Sequence, residues 1–380
     1  MTPRIITGRD PASGRPLAVQ LKGGRIAAIG DGPPDETGFL SAGLIDLQVN
    51  GYAGHDLNAP GLQPGTVAAL ARALRRQGVT TFLPTLITAA EDCIIEGLRA
   101  IAAARVADPI VRRMIPFAHV EGPFISPADG PRGAHPREWV RPPDLHEVKR
   151  WQDASGGLVG MVTLSPHWNE SHIVIAGLAG AGLHVAIGHT DAGPEKIRLA
   201  VAAGARLSTH LGNGVAATLP RHPNLLWAQL AEARLHATFI ADGHHLPADT
   251  LSVMLRAKGL DCSILVSDSA APGGLPLGVY EGAIGGRVEL TPDGRLEIPG
   301  TPYLAGAALP LLQGVANAAT MTGIPLADAL RLATVNPGRF VGGRGVLEVG
   351  EVADLIRFYW SPGNEALAVE TVLIAGREER

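Results

Sequence analysis

The sequence predicts an α/β protein: a (β/α)8 TIM-like barrel with a small β-sandwich domain formed by both chain termini. Three observations carry this reading. Eight short apolar runs, at residues 44–50, 79–85, 117–121, 160–164, 184–189, 206–210, 236–242 and 262–268, are bounded by turn residues and separated by stretches with helical spacing. Parallel strands alternating with helices produce that pattern. All but the run at 79–85 close on or beside a polar residue able to do chemistry, as strands do at the active face of such a barrel. Finally, 380 residues with 48 Gly and 30 Pro suit a barrel plus an accessory piece, with many tight connections.

Each element follows in order. Residues 4–7 and 17–21 alternate as strands do, and Gly23-Gly24 leads into 25–30, which reads as a hairpin. Residues 354–359 and 370–375 repeat this character at the other end. Neither terminal piece can bury a core alone, and pairing the two satisfies both. The expected division is therefore 1–41 with 345–380 as the sandwich and 42–344 as the barrel. Within the barrel, apolar residues at helical spacing mark helices over 66–77, 91–104, 194–203 and 247–257, two of them with Pro194 and Pro247 at the start. Helices over 305–321 and 325–334 are expected to close it. The loop at 126–143, rich in Pro, Gly, Arg and His, has the length of a functional lid.

Composition excludes several classes. Net charge is −4 and no long basic cluster occurs, so nucleic acid is not an expected partner. No apolar stretch reaches membrane-spanning length, and no signal-peptide core follows Met1. Two cysteines, Cys93 and Cys262, make no disulfide framework. A cytoplasmic enzyme of small molecules is the expectation.

The strand ends supply the chemistry. Three neutral or anionic ligands with an open fourth position describe a hydrolytic metal site, and Glu121, His189 and His210 could form that set from three different strands. A bound metal would lower the pKa of water and polarise a carbonyl. Asp268, ending the last strand, could serve as base and then return the proton to a leaving amine. Each residue also has a plain structural use: either His could sit satisfied in the core, Glu121 could cap a loop, and Asp268 could cap a helix. Four such accidents at equivalent strand ends are a poor explanation. At the end of the first strand, Gln48 and Asn50 are poor metal ligands beside imidazole, which disfavours a second metal; Gln48 is expected to orient water or substrate.

These residues sit in stretches that resemble the N-acetylglucosamine-6-phosphate deacetylase family of the amidohydrolase superfamily. The stretches are 42–51, 119–124, 133–135, 187–190, 208–211, 241–245, 266–268, 304–307 and 333–337. The resemblance implies one divalent metal per subunit on Glu121, His189 and His210, zinc foremost, with iron, cobalt or manganese as alternatives. It implies Asp268 as the catalytic acid and base, and His135 as a partner in polarising the acetyl carbonyl. Asn213, Gly214, His245, Ala134 and Leu304 fall at its substrate positions. Arg221 would reach the neighbouring active site, which implies a homodimer. The implied reaction converts N-acetylglucosamine 6-phosphate to glucosamine 6-phosphate and acetate. Many amidohydrolases carry His-x-His where this chain has Gln48-Val49-Asn50, and the family usually has an aromatic residue before Asn213 where this chain has Gly212. The loop 211–215 borders the sugar, so an N-acetylgalactosamine 6-phosphate or an unphosphorylated N-acyl hexosamine is the alternative substrate. A cyclic-amide hydrolase would need a lysine in the strand at 160–164, which has none. A non-catalytic scaffold would be expected to have lost one of the four strand-end residues.

Overall fold

A computed structural model of the chain describes residues 4–301 and 303–378. Eight parallel strands form one sheet in the order Leu44–Val49, Val79–Ile87, Ala118–Glu121, Val159–Leu164, His184–Ile187, Leu207–Ser208, His236–Ile240 and Ser263–Val266. These are the eight predicted runs. Their side chains divide between two cores, because successive residues of a strand face opposite ways. Ile45, Leu47, Leu83, Met161, Ala186, Leu207, Ile240, Ile264 and Val266 fill the barrel interior. Leu44, Phe82, Val120, Val162, Val185, Phe239 and Leu265 face the surrounding helices. Phe340 and Val341 plug the floor, where the rings of His184 and His236 stand edge-on to Phe340 at 5.4 and 5.1 Å. The opposite, carboxyl ends of the strands remain free for function.

The helices largely obey the expected signals. Pro64–Arg76 begins on proline and ends on two arginines, and Pro194–Ala203 also begins on proline. Asp144 caps Leu145–Ser155, and Asn224 caps Leu225–Ala231. One expectation fails. Residues 305–310 are not helical; the helix is Leu311–Thr322 with Pro310 at its N-cap. Proline disfavours helical geometry in the residue before it, and the preceding segment pairs as strand instead. The Ala307 amide donates to the Asp268 carbonyl and the Ala305 amide to the Leu296 carbonyl.

Residues 278–297, unassigned from the sequence, form a three-stranded antiparallel flap: Gly278–Gly282, Gly286–Leu290 and Leu296–Glu297. Its inner face packs Val288, Leu290 and Leu296 on Ala270, Ala305 and Ala308. It is pinned at both turns, where Asp56 accepts the Ala283 amide and His244 Nε2 meets the Asp293 carbonyl.

The termini share one seven-stranded sheet in which Leu355–Tyr359 pairs with Phe39–Ala42. The sheet curls around Ile6, Val19, Leu21, Ile26, Leu40, Leu355 and Leu373. Its far edge returns to the carboxyl end, where the Ile26 amide donates to the Glu351 carbonyl and the Ala353 amide to the Gly24 carbonyl. Arg113 clamps Asp354 with two bonds of 3.0 and 2.5 Å and so locks the sheet to the barrel. Glu36 ties the sheet together from within: its carboxylate takes Thr7 Oγ1, the Thr37 and Gly38 amides and Arg357 Nη2. Burial opposes its charge, yet those donors hold it down at about 2, against 4.5 for an ordinary glutamate. A depressed carboxyl pKa contributes stability above the unfolded value and loses it as pH falls through the folded one. Glu36→Gln should therefore be less stable than wild type at pH 7 by about 1–3 kcal/mol. In urea titrations across pH, the gap should close between roughly 4.5 and 2.

Candidate active site

The carboxyl ends of the third, fifth and sixth barrel strands bring Glu121, His189 and His210 together. One ligand atom from each lies within 4.8 Å of the other two. His189 Nε2 stands 3.3 Å and His210 Nε2 2.9 Å from Glu121 Oε1. All three are buried. Burial alone would push the Glu121 carboxyl up, but the two imidazoles hold it well below the usual range. The same contact raises His210 despite its burial.

The backbone at these positions is held in an uncommon shape. His189, His210 and Asp268 have φ of 39°, 26° and 50°, a left-handed conformation uncommon for non-glycine residues and costly enough that the surroundings must impose it. It turns each side chain inward over the barrel mouth immediately after its strand. His189 is further fixed from the loop at 126–143, because its Nδ1 meets the Pro131 carbonyl at 2.8 Å. A carbonyl can only accept, so Nδ1 carries a proton, and Nε2 is the atom left to offer a lone pair to a cation held between it and Glu121. His210 Nδ1 is buried with no hydrogen-bond partner among the described residues.

This donor set fits a divalent cation. A carboxylate and two imidazoles are a common hydrolytic ligand set, and the site otherwise concentrates three imidazole rings around one anion. The ring of His135 lies 4.4 Å from that of His189, and its Nε2 lies 3.9 Å from Glu121 Oε2. Burial, then the neighbouring His189, pushes His135 down to about 3, so it is neutral at physiological pH.

Asp268 ends the eighth strand in the same cleft. Asn50 Nδ2 donates to its Oδ1 at 2.8 Å, and its own amide donates to the Gln48 carbonyl. Burial first, then the Glu121 charge, lifts its carboxyl to about 6, a useful value for a group that must both take and return a proton near neutrality.

The cleft has a volume of about 260 Å³. Ten of the twelve residues singled out from the sequence line it: Glu121, Ala134, His135, His189, His210, Asn213, Gly214, His245, Asp268 and Leu304. The other two do not. Gln48, expected at the substrate, is buried below the cleft and donates from Nε2 to Glu121 Oε1 at 2.8 Å. Arg221 is exposed and is not among the described residues that line the cleft. No Lys or Arg is among the described residues that line the cleft.

Three contributors were not foreseen. Asn50 was legible as the partner of Gln48 at a strand end, but its hold on Asp268 joins positions 218 apart in sequence. Asp242 stands at a strand end and within the 241–245 stretch, with no role of its own expected from the sequence. It accepts the His244 and His245 amides and, at 2.6 Å, His245 Nδ1, which leaves His245 Nε2 free in the cleft. Thr88 gave no signal, since its strand closes without an ionisable group. Its hydroxyl sits 2.8 Å from His135 Nδ1.

Comparison with known proteins agrees with the geometry. The sequence profile of the amidohydrolase family matches residues 39–378. This chain belongs to the amidohydrolase family. It is 32% identical over 323 residues to an N-acetylglucosamine-6-phosphate deacetylase of Bacillus subtilis, covering 83% of this chain and 80% of that protein. An N-acetylgalactosamine-6-phosphate deacetylase of a Shewanella species is 31% identical, over 90% of this chain and 83% of its own. Among solved structures, a mutant N-acetyl-D-glucosamine-6-phosphate deacetylase from Mycobacterium smegmatis, in complex with N-acetyl-D-glucosamine-6-phosphate, superposes with a TM-score of 0.88. The two are 27% identical, over 100% of this chain and 99% of the other. The resemblance read from the motifs thus extends to nearly the whole fold.

Proposed function

We propose that this enzyme hydrolyses the N-acetyl group of an amino sugar phosphate, foremost N-acetylglucosamine 6-phosphate, releasing glucosamine 6-phosphate and acetate. The observation that carries the reading is Asp268 in the same cleft as the cluster of Glu121, His189 and His210. Relatives that bear the deacetylase name support the substrate class. A divalent cation held by those three residues, zinc foremost, would supply Lewis acidity for the acetyl carbonyl and a lower pKa for the attacking water.

The chain's own groups do the rest. Asp268 takes a proton as water oxygen bonds to the acetyl carbon. His135 is neutral, and in the tautomer this reaction calls for the Thr88 hydroxyl donates to Nδ1 and the ring proton sits on Nε2, facing the forming oxyanion. Asp268 then passes its proton to the sugar nitrogen as the C–N bond breaks, leaving acetate and a free amine. Asn50 keeps Asp268 on station through both transfers. Thr88→Val should lower kcat about tenfold while metal content stays at the wild-type value, because it frees His135 without touching the ligand set. Kinetics paired with metal analysis reads this directly, and metal loss in step with activity would refute it.

The phosphate is assigned to Arg221 of a second subunit together with Asn213, Gly214 and His245, since no Lys or Arg is among the described residues that line the cleft. The protein is accordingly read as a cytoplasmic homodimer; no described helix is long and apolar enough to cross a membrane. The deciding experiment compares turnover on N-acetylglucosamine 6-phosphate, N-acetylgalactosamine 6-phosphate and the free sugars. Arg221→Ala should raise KM for the phosphorylated substrate by roughly 10–100-fold, the worth of a lost charged hydrogen bond. It should leave the free sugar unaffected. Equal turnover with and without phosphate in the wild type would reject the phosphate assignment. No hydrolysis of any N-acyl hexosamine would reject the deacetylase reading.

A further inference from the structure

Asp46, in the middle of the first barrel strand, is a buried carboxyl that the reaction above does not use. It is 1% exposed. Its Oδ1 accepts two backbone amides, Gln48 at 3.3 Å and Ser267 at 3.1 Å, and its Oδ2 has no hydrogen-bond partner among the described residues. A buried carboxyl with so few partners is costly, and burial pushes it up to about 7.

Its location explains the cost. The first and eighth strands stand at the two ends of the sheet order, and among the described residues they share no ladder below their tips. The barrel closes there through a few contacts. Asp268 donates its amide to the Gln48 carbonyl, and Asn50 and Gly51 donate theirs to the Ser269 carbonyl. Below them, the Asp46 side chain stands in for the missing strand carbonyl at Ser267. The two amides it holds belong to the residue before Asp268 and to Gln48, whose side chain orients Glu121. Asp268 is also one of the left-handed residues, a conformation that persists only where its surroundings impose it.

We propose that Asp46 is a positioning residue for the hydrolytic site: one carboxyl oxygen, bonded across the barrel seam, sets the strand ends that carry Asp268 and Gln48. The inference rests on the deacetylase reading for its kinetic readout only. Asp46 acts as an acceptor, not as a charge, so Asp46→Asn should retain kcat within about threefold. Asp46→Ala removes the acceptor and should lower kcat by roughly 10–100-fold, as displacement of a reacting group by about an ångström does. KM and bound metal per subunit should stay within twofold of wild type.

Hydrogen exchange of the peptide around Ser267, followed by mass spectrometry, should quicken in Asp46→Ala and not in Asp46→Asn. A folded Asp46→Ala with wild-type kcat and exchange overturns the proposal. So does an Asp46→Asn as impaired as the alanine variant, or metal loss that accounts for the fall in rate. If Asp46→Ala does not fold, Asp46→Ser gives the same reading with less lost volume. Failure of both to fold would make Asp46 a folding residue and overturn the positioning role. An inactive wild type would strike the deacetylase reading instead, and the exchange measurement alone would then decide on Asp46.

Discussion

Asp268→Asn is expected to lower kcat by roughly 10³-fold or more while KM changes little. The size follows from the proposed reaction, in which Asp268 serves twice, once on the water and once on the departing nitrogen. An amide cannot take the first proton, so it has none to return. The isosteric change leaves the fold intact, since the Asp268 backbone is tied to Gln48 and Ala307 through its own amide and carbonyl. The Asn50 contact can also survive, because an amide oxygen still accepts from Nδ2. Steady-state kinetics with metal analysis of the same preparation separates lost chemistry from lost metal. Turnover within tenfold of wild type would remove Asp268 from its role.

Glu121→Gln is expected to weaken metal binding by at least about 100-fold and to take activity with it. Glu121 faces the buried imidazoles of His135, His189 and His210, and its Oε1 accepts from Gln48 Nε2 and meets His210 Nε2. The amide that replaces it carries no charge to offset a divalent cation. Its own NH2 would oppose either Gln48 or His210. The chelated wild type provides the comparison: it should be inactive and recover when zinc, cobalt or manganese is added back, whereas the variant should need far higher metal concentrations. A variant that holds metal as tightly as wild type would show that Glu121 is not a ligand.

Much of this site was legible because chain direction and strand periodicity fix where side chains can go. A parallel barrel sends the end of every strand to one face, so finding Glu121, His189, His210 and Asp268 at strand ends was enough to expect them together. Leu304 and Ala134 were legible only through the family's motifs. The structure supplies their reason: Leu304 follows the flap at 278–297, and Ala134 rides on the loop at 126–143 beside His135. Gln48 was read as a substrate contact from its place at a strand end. The irregular pairing of its strand, with register shifts on both sides of Asp46, turns it beneath the cleft toward Glu121 instead.

Local sequence by itself determined the barrel, the terminal sheet and the candidate ligand set, because apolar alternation, turn residues and proline positions act within a few residues of themselves. Only the tertiary structure decided which groups orient them. Asn50 on Asp268, Thr88 on His135, the Pro131 carbonyl on His189 and Asp46 on Ser267 are contacts between segments far apart in the chain. Their distances depend on how the barrel closes and how the loop at 126–143 folds back. A hydrogen bond requires placement to within a few tenths of an ångström, and no spacing along the chain carries that information.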